Sequence, residues 1–430
     1  MGITEIKITR EVCEKAPGPS KCVSRNQSYV GKGLRRVETR SVTSESDYAN
    51  EIYVRYSEDN GKTWTAWQDV YREAYRTRGD MELLWSKPES GVYNRLHGHY
   101  VALNMQRLFL ENHHESYKKF WGGGKKTFTD HCFLWVSKDL KDWKWQQVKY
   151  EDGTDFSEDD WGREGYVNIN EAYSGCNLEV LENGDIIFPV GANVMSCCRI
   201  LGIDVNDVFS SCPQIMNGLI VSRGRWNEAE EKYYLAPSKP AVISDLKSSR
   251  GIDEPTIMPL KSGRIIVVFR GSNVMSKGWN TRIQKGTPAH KWYTFSDDGG
   301  KTFTEPVPWH YDNGEVFYSP ASISQFLRST KNAKVYWFGN ITGPEAYGNS
   351  PRFPLVMAEV DEQTGFLKRE AYTVIDNRDP KKESEALQLS NFGLLEDRET
   401  KDIELYLTKL GANREDQWRS DAYRYIIEVK

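Results

Sequence analysis

A short motif that occurs twice in full constrains the fold of this chain more than any other feature. In each copy an apolar strand is followed by the pattern Ser-x-Asp-x-Gly-x-Thr-aromatic, over 57–64 and again over 296–303. The aspartate can accept backbone N–H groups inside a turn, the glycine tolerates a positive φ, and the aromatic ring can cover the sheet. The motif therefore predicts a tight β-hairpin turn that repeats along the chain.

Weaker copies extend this repeat. FLWVSKDLKDWKW keeps Ser137 and Asp139 without the glycine, GLIVSRGRW keeps Ser222, and another turn is expected around Asp361. A second pattern, in which a turn joins two apolar strands, occurs over 177–191, 255–271, 323–340 and 392–411. Together the two patterns make a four-stranded sheet, and six such units with turns spaced roughly 60–85 residues apart are typical of propeller blades.

We therefore predict an all-β fold, a six-bladed β-propeller, with seven blades as the alternative. The sequence shows short strands separated by Gly, Asn and Asp turns, and we find no amphipathic pattern of 12 or more residues that predicts a long helix. A closed ring can absorb the whole chain, 1–430, as a single domain. The C-terminal strand 422–429 is expected to close the ring by pairing with an N-terminal strand.

Composition excludes some classes of partner. The 57 Lys and Arg residues nearly balance 61 Asp and Glu residues, so nothing over the whole molecule attracts nucleic acid. No apolar run approaches the ~20 residues that span a bilayer. The N-terminal residues lack the apolar core of a signal peptide, so localisation stays open: cytoplasmic, or secreted or periplasmic if a leader was removed.

The cysteine content bears on metal sites and disulfides, and the aromatic content bears on sugar binding. The seven cysteines are odd in number and lack a Cys-x-x-Cys pair, which predicts reduced thiols and neither a zinc site nor a disulfide framework. We expect no cofactor. Aromatic residues reach 12%, with 14 Trp and 23 Tyr, which is common where flat side chains stack on sugar rings.

Asp-containing hairpin turns on a propeller resemble those of the sialidase (neuraminidase) superfamily, and the resemblance covers about 36–430 with gaps. EPTIMPLKSGRIIVVFRG resembles a sialidase segment of Glu, two apolar strands around a Gly-Arg turn, and Arg. The resemblance implies Glu254 as the carboxylate that assists the nucleophile and Arg270 as one arginine that binds the sialic-acid carboxylate. NSPRFPLVMAEV similarly implies Arg352 as a second arginine, and TRSVTSESDYANEIYVRYSEDNGKTW implies Asp47 as the general acid.

Two sialidase features are missing. The chain has no Arg-Ile-Pro motif, and Leu389-Ser390 stands where sialidases carry the Tyr-Ser of the nucleophile. The resemblance therefore implies a sialidase-like propeller and leaves the nucleophile open.

The residue types themselves favour sugar hydrolysis. A glycosidase needs an acid for the leaving oxygen and a second group on the opposite face of the sugar, and Asp47 with Glu254 can supply them. Arg270 and Arg352 end apolar strands, where a charge is costly unless it is paired or lines a cavity, and a guanidinium fork matches a carboxylate. These arginines predict an acidic ligand, with Glu171 and Tyr318 as further substrate-binding candidates.

A histidine-rich segment supports an alternative. Five of the seven histidines lie within 97–131, and NRLHGHY places Arg95, His97, His99 and Tyr100 close together. Histidine can act as a general base near neutral pH, with tyrosine as acid and arginine neutralising a uronate, as a polysaccharide lyase requires. His97 and His99, two residues apart on a strand, could also hold a metal.

The most favoured function is an exo-acting glycoside hydrolase on a terminal, acidic sugar of a glycan or oligosaccharide. The alternatives are a lyase on a uronate-containing glycan that uses His97 and His99, and a non-catalytic propeller that binds glycans or proteins. The sequence leaves the sugar, the linkage and the oligomeric state open.

Overall fold

The structure is a computed structural model that describes residues 6–430 except 47, 72–74, 114, 117, 118, 120–125, 211–216 and 276–281. The chain divides into two compact units. The first unit comprises Met1–Arg72, Pro288–Lys291 and Trp309–Lys430, and the second comprises Glu73–Thr287 and Trp292–Pro308. Six antiparallel sheets, called blades I to VI here, make up the β structure.

Three blades belong to the first unit, and each has four strands. Blade I contains β2 (Cys22–Tyr29), β3 (Arg36–Glu45), β4 (Tyr48–Ser57) and β5 (Gln68–Asp69). Blade V contains β21 (Gln325–Arg328), β22 (Val335–Asn340), β23 (Leu355–Val360) and β24 (Leu367–Asp376). Blade VI contains β1 (Lys7–Glu14), β25 (Gly393–Glu396), β26 (Ile403–Thr408) and β27 (Ala422–Glu428).

Three further blades lie in the second unit, apart from the first residue of β19. Blade II contains β6 (Tyr75–Arg78), β7 (Met81–Leu84), β8 (Val92–Asn94), β9 (His99–Phe109), β10 (Phe128–Ser137) and β11 (Lys144–Gln147). Blade III contains β12 (Ala172–Ser174), β13 (Glu179–Val180), β14 (Ile186–Asn193), β15 (Asn217–Asn227) and β16 (Lys232–Pro237). Blade IV contains β17 (Asp253–Pro259), β18 (Ile265–Arg270), β19 (Lys291–Ser296) and β20 (Val307–Pro308).

The named helices of the described chain span four to eight residues each. The named helices of the described chain are α1 (Glu164–Val167), α2 (Val194–Leu201) and α3 (Val205–Val208). None of the helices that the structure describes combines the length and the apolar content needed to cross a bilayer. The fold is thus the predicted all-β, six-bladed β-propeller.

Blade VI joins the two ends of the described chain. β1 pairs antiparallel with β27, from Lys7 opposite Glu428 to Glu14 opposite Ala422. β27 in turn pairs with β26, so the sheet order is β1-β27-β26-β25. That 1–430 forms one domain stays a prediction.

The two complete motifs form equivalent turns after the third strand of their blades. Ser57 Oγ and the backbone N–H of Thr63 both donate to Asp59 Oδ1 at 2.8 Å, between β4 and β5. In blade IV the N–H of Thr302 donates to Asp298 Oδ1 at 3.0 Å. Both turns have the bonding that the sequence predicts for the motif.

The prediction of a hairpin turn at Ser222 is wrong. β15 continues through Ser222 to Asn227, and the chain turns only there, where the N–H of Ala229 donates to Asn227 Oδ1. The segment after Ser222 lacks an aspartate that could accept the backbone N–H groups of a turn, so the strand continues. At Asp361 the expected turn is present, with Gly365 N–H donating to the Asp361 carbonyl at 2.7 Å.

Apolar side chains packed between neighbouring blades form the core of each unit. In the second unit one cluster joins blades II and III through Val101, Leu134, Phe188, Ile220 and other buried side chains. In the first unit a similar cluster joins blades V and VI and includes Phe338, Met357, Leu389, Leu405 and Ile427. Each such side chain contributes about 1.5–3 kcal/mol when it is fully buried, so the blades are rigid supports for the residues at their edges.

Candidate functional site

The strand register of the second unit places several charged residues at one edge of blades II, III and IV. Arg107 of β9 lies opposite Asp130 of β10, and Asp253 of β17 lies opposite Arg270 of β18. The Asp turns of blades II and IV, after Ser137 and Ser296, are at the other end of the strands, as Ser137 opposite Tyr100 shows.

Backbone contacts join the three blades at this edge. The N–H of Cys176 in blade III donates to the carbonyl of Pro255 in blade IV at 2.8 Å. The thiol of Cys132 in blade II donates to the carbonyl of Ala172 in blade III at 3.2 Å. Charged residues at the ends of the three blades therefore belong to one region, which we call the paired-charge cluster.

The cluster consists of four carboxylates and four cations joined in ion pairs. Its members are Lys126, Arg107, Asp130, Glu171, Arg250, Asp253, Glu254 and Arg270.

Glu254 is held in a strained conformation beside an arginine. Its φ is 47°, and it lies in a bulge of β17 between Asp253 and Thr256. Its Oε2 is 2.9 Å from Nε of Arg270. A non-glycine residue with positive φ persists only where its surroundings over-determine it, and such residues concentrate at functional sites.

Arg270 is bound by two carboxylates at once. Its Nη2 donates to Asp253 Oδ2 at 3.0 Å, in addition to the contact with Glu254. Burial opposes the charged guanidinium, but the charges of Asp253 and Glu254 outweigh it and raise the pKa of Arg270. Burial likewise opposes ionisation of Asp253, but Arg270 and Arg250 lower its pKa below the ordinary value. Arg270 and Asp253 are therefore held in their charged forms as an ion pair.

Glu171 has a different environment. It precedes β12 and forms an ion pair with Lys126, and its Oε2 accepts a weak hydrogen bond from Asn193 Nδ2 at 3.5 Å. Burial raises the pKa of Glu171, and the charge of Lys126 offsets this only in part. The preceding residue, Asn170, has a φ of 58° and is fully buried, so a strained residue positions this carboxylate as well.

Six residues of this region were not nominated from the sequence: Arg107, Lys126, Asp130, Tyr173, Arg250 and Asp253. Arg107 binds Asp130 through two parallel contacts, Nε to Oδ1 at 2.6 Å and Nη2 to Oδ2 at 2.7 Å. The guanidinium carbon of Arg107 is 6.0 Å from the ring centroid of Tyr173. Burial, followed by the charges of Glu254 and Asp253, raises the pKa of Tyr173. Opposite charges inside the largely apolar β9 and β10 were a signal of the same kind as Arg270 at the end of β18.

The two arginines predicted to bind a carboxylate each have partners within their own unit, and a joint carboxylate clamp stays a prediction. Arg270 forms ion pairs with Asp253 and Glu254. Arg352 lies in the first unit, where its Nη1 donates to Gln388 Oε1 and its Nη2 to the carbonyl of Ala321, each at 2.7 Å. Both arginines have partners because a buried guanidinium is stable only when its donors are bonded.

Three other residues singled out in the sequence are Tyr318, Asp47 and Leu389. Tyr318 is in the first unit, stacked on His290 with ring centroids 5.7 Å apart. Asp47 lies outside the described residues. Leu389 is completely buried in the core between blades V and VI, which explains why an apolar residue stands there.

The expectation that His97 or His99 faces the same site as Glu171 and Glu254 is wrong. His99 begins β9 and Arg107 lies eight residues further along it, so they are ~26 Å apart along the strand. The ring of His99 is fully buried, with Nε2 2.7 Å from the Tyr233 hydroxyl and its centroid 4.1 Å from that of Trp226. Burial, and then the charge of His97, lower the pKa of His99 to about 4.

Arg95, Tyr100 and His131 also lie at separate positions in the second unit. Arg95 is an exposed turn residue, and Tyr100 is buried against Tyr93 with ring centroids 4.9 Å apart. His131 is buried in β10, with Nε2 2.9 Å from the Tyr166 carbonyl. Within the described ranges, no three His, Cys, Asp or Glu side chains are grouped so that they could hold a metal ion. His99 and His131 are therefore held in separate buried positions, and the lyase alternative stays a prediction.

Comparisons with known proteins address the fold. The sequence matches no protein-family model and no curated protein. A protein of unknown function from Dyadobacter fermentans superposes with a TM-score of 0.54 at 13% identity, over 98% of this chain and 99% of that one. The K499G mutant of NanB sialidase from Streptococcus pneumoniae superposes with a TM-score of 0.50 at 11% identity, over 94% of this chain and 68% of that one. The chain therefore has the six-bladed β-propeller fold of the sialidases.

Proposed function

We propose that this protein is an exo-acting glycoside hydrolase whose active site is the paired-charge cluster. In this proposal Glu171 is the general acid and Glu254 is the second carboxylate. The fold shared with a sialidase supports carbohydrate chemistry. The observation that carries the proposal is that one edge holds two carboxylates in unlike environments, as the two roles in glycoside hydrolysis require.

The chemistry follows from these environments. Glu171 keeps its proton to higher pH than an ordinary glutamate because it is buried, so it can donate that proton to the glycosidic oxygen as the bond breaks. Glu254, charge-paired with Arg270, can attack the anomeric carbon or remove a proton from an attacking water. The first route retains the anomeric configuration and the second inverts it, so the product anomer distinguishes them. Asp47 stays a predicted alternative acid.

Hydrolysis of a broad panel of labelled glycosides and oligosaccharides tests this proposal. We expect Glu171→Gln and Glu254→Gln to lower kcat/KM by about 10²–10⁴-fold on the best substrate, the range typical of losing a general acid or base. Asp47→Asn, measured in parallel, tests the alternative acid.

A matched control is available in blade V. Glu359 is a largely buried carboxylate paired with Lys334 and Lys368, so Glu359→Gln makes the same chemical change in the first unit. We expect this variant to retain wild-type activity. Glycan binding without turnover would refute the proposal and favour a non-catalytic binding propeller. An unsaturated product, detected by its ultraviolet absorbance, would refute it in favour of a lyase.

A further inference from the structure

We infer that the paired-charge cluster takes an uncharged sugar, in contrast to the acidic sugar that the arginines suggest in the sequence. This inference deepens the proposed function and rests on the same site. The cations of the cluster are already paired with carboxylates of the protein.

Each cation of the cluster forms an ion pair with a carboxylate of the protein. Arg270 is 3.0 Å from Asp253 and 2.9 Å from Glu254, so two carboxylates share its guanidinium fork. Arg107 uses both edges of its fork on Asp130. An incoming carboxylate would have to displace one of these anions before it could bind in the same way.

The other two cations of the cluster, Lys126 and Arg250, also form ion pairs with carboxylates. Lys126 is paired with Glu171, and Nη2 of Arg250 is 3.6 Å from Asp253 Oδ2. Four cationic groups are therefore paired with four carboxyl groups among the described residues of the cluster, of which only Glu171 is assigned a proton in the proposed mechanism. A carboxylated ligand would add a negative charge beside fixed, partly buried carboxylates, and such like-charge contacts are strongly unfavourable.

Hydroxyl groups suit this environment better. A carboxylate oxygen has more than one acceptor position, so Asp253 or Glu254 can stay paired with Arg270 and still accept an O–H bond. A neutral sugar supplies several O–H donors and adds no charge. The cluster thus matches a ligand rich in hydroxyl groups and without a carboxylate.

The experiment is binding of the full-length wild-type protein to an array of glycans that end in neutral, uronic or sialic residues. We expect the bound glycans to end in neutral sugars, with affinity at least about tenfold higher than for counterparts that differ only by a carboxylate. Preferred binding of carboxylated termini overturns the inference, and so does the absence of binding to any glycan.

A charge variant makes the test sharper. Asp253→Asn removes one of the two anions that Arg270 holds, so affinity for the carboxylated counterpart should rise at least about fivefold. Asp376→Asn is the matched control, because Asp376 is a similarly buried carboxylate paired with Lys409 in the first unit. An equal change in both variants, or none in Asp253→Asn, overturns the inference.

Failure of this inference differs from failure of the proposed function. Neutral glycans that are bound but never hydrolysed support the inference and refute the hydrolase. Carboxylated glycans that are bound and hydrolysed, with dependence on Glu171 and Glu254, do the opposite.

Discussion

Asn170 supports the proposed acid, and its replacement by alanine should destabilise the protein strongly. Its Oδ1 accepts the backbone N–H groups of Tyr150 at 2.7 Å and of Glu151 at 2.9 Å, and its Nδ2 donates to the Glu151 carbonyl at 3.0 Å. The residue is fully buried and has a φ of 58°. It therefore joins the loop at 150–151 to Glu171 in a conformation that few residues adopt.

The expected loss for Asn170→Ala can be built up from these contacts. Each buried N–H left without its acceptor costs about 1–3 kcal/mol. Placing alanine in the left-handed region costs a further ~1–2 kcal/mol. The free energy of unfolding should thus fall by about 3–8 kcal/mol, a large share of the ~5–15 kcal/mol that stabilises a typical domain.

Two comparison variants separate the contributions. Asn170→Gly loses the same hydrogen bonds but tolerates the positive φ, so it should be more stable than Asn170→Ala by ~1 kcal/mol. Asn391→Ala is the matched control, since Asn391 has a φ of 59° but is exposed. It should lose the ~1–2 kcal/mol cost of the left-handed backbone and a single hydrogen bond, which Ser390 Oγ donates to Asn391 Oδ1 at 3.2 Å, but no buried backbone N–H contact.

Urea denaturation of the full chain, followed by circular dichroism, measures these differences from the midpoint and slope. If Asn170→Ala and Asn391→Ala lose the same stability, then the side chain of Asn170 does not satisfy the amides of the loop and the reasoning is wrong. For the proposed site, we also expect Asn170→Gly to lower kcat more than KM, because the change moves the acid and leaves the other groups in place.

Three further outcomes are expected. The folded pKa of Glu171 is raised above 4.5, so its stabilising contribution is full below pH 4.5 and is lost as the pH rises through the raised value; Glu171→Gln should remove this decline in denaturation midpoints. The pKa of His99 is lowered from 6.5 to about 4, so its contribution is present above pH 6.5 and lost as the pH falls through about 4; His99→Gln should flatten that acid limb, and an unchanged limb would contradict the assignment. A methyl group on Gly251 would collide with the Asn217 carbonyl, whereas one on Gly314 would meet nothing within 4 Å although both residues have positive φ; thermal unfolding should show Gly251→Ala less stable than Gly314→Ala by ~2 kcal/mol or more, and equal losses would refute the clash.

The hairpin turns were determined by the sequence alone. Asp59 and Asp298 bond to groups no more than four residues away, so the motif contains every atom that the turn needs. The same locality explains the error at Ser222, because the strand continues when the local acceptor is missing. With the strand patterns between them, these turns were enough to predict the all-β propeller and the number of blades.

The candidate site was only partly predictable. Glu254 could be nominated from the resemblance of its segment to one of the sialidases, and Glu171 from its place beside a predicted inner strand. The partners that decide their chemistry come from distant parts of the chain: Lys126 for Glu171, and Arg270 for Glu254. No local pattern specifies such pairs, since they depend on strand register and on which blades are neighbours.

Tertiary structure also decided which predicted residues stay apart. His99 and Arg107 lie on one strand but at opposite ends, so nearness in sequence did not place the histidines with the carboxylates. Arg270 looked like a free anion-binding group in the sequence, and only the fold supplies the two carboxylates that neutralise it. Whether a buried charge is a ligand-binding group or half of an ion pair depends on its partners in space, because the cost of desolvation can be met by either.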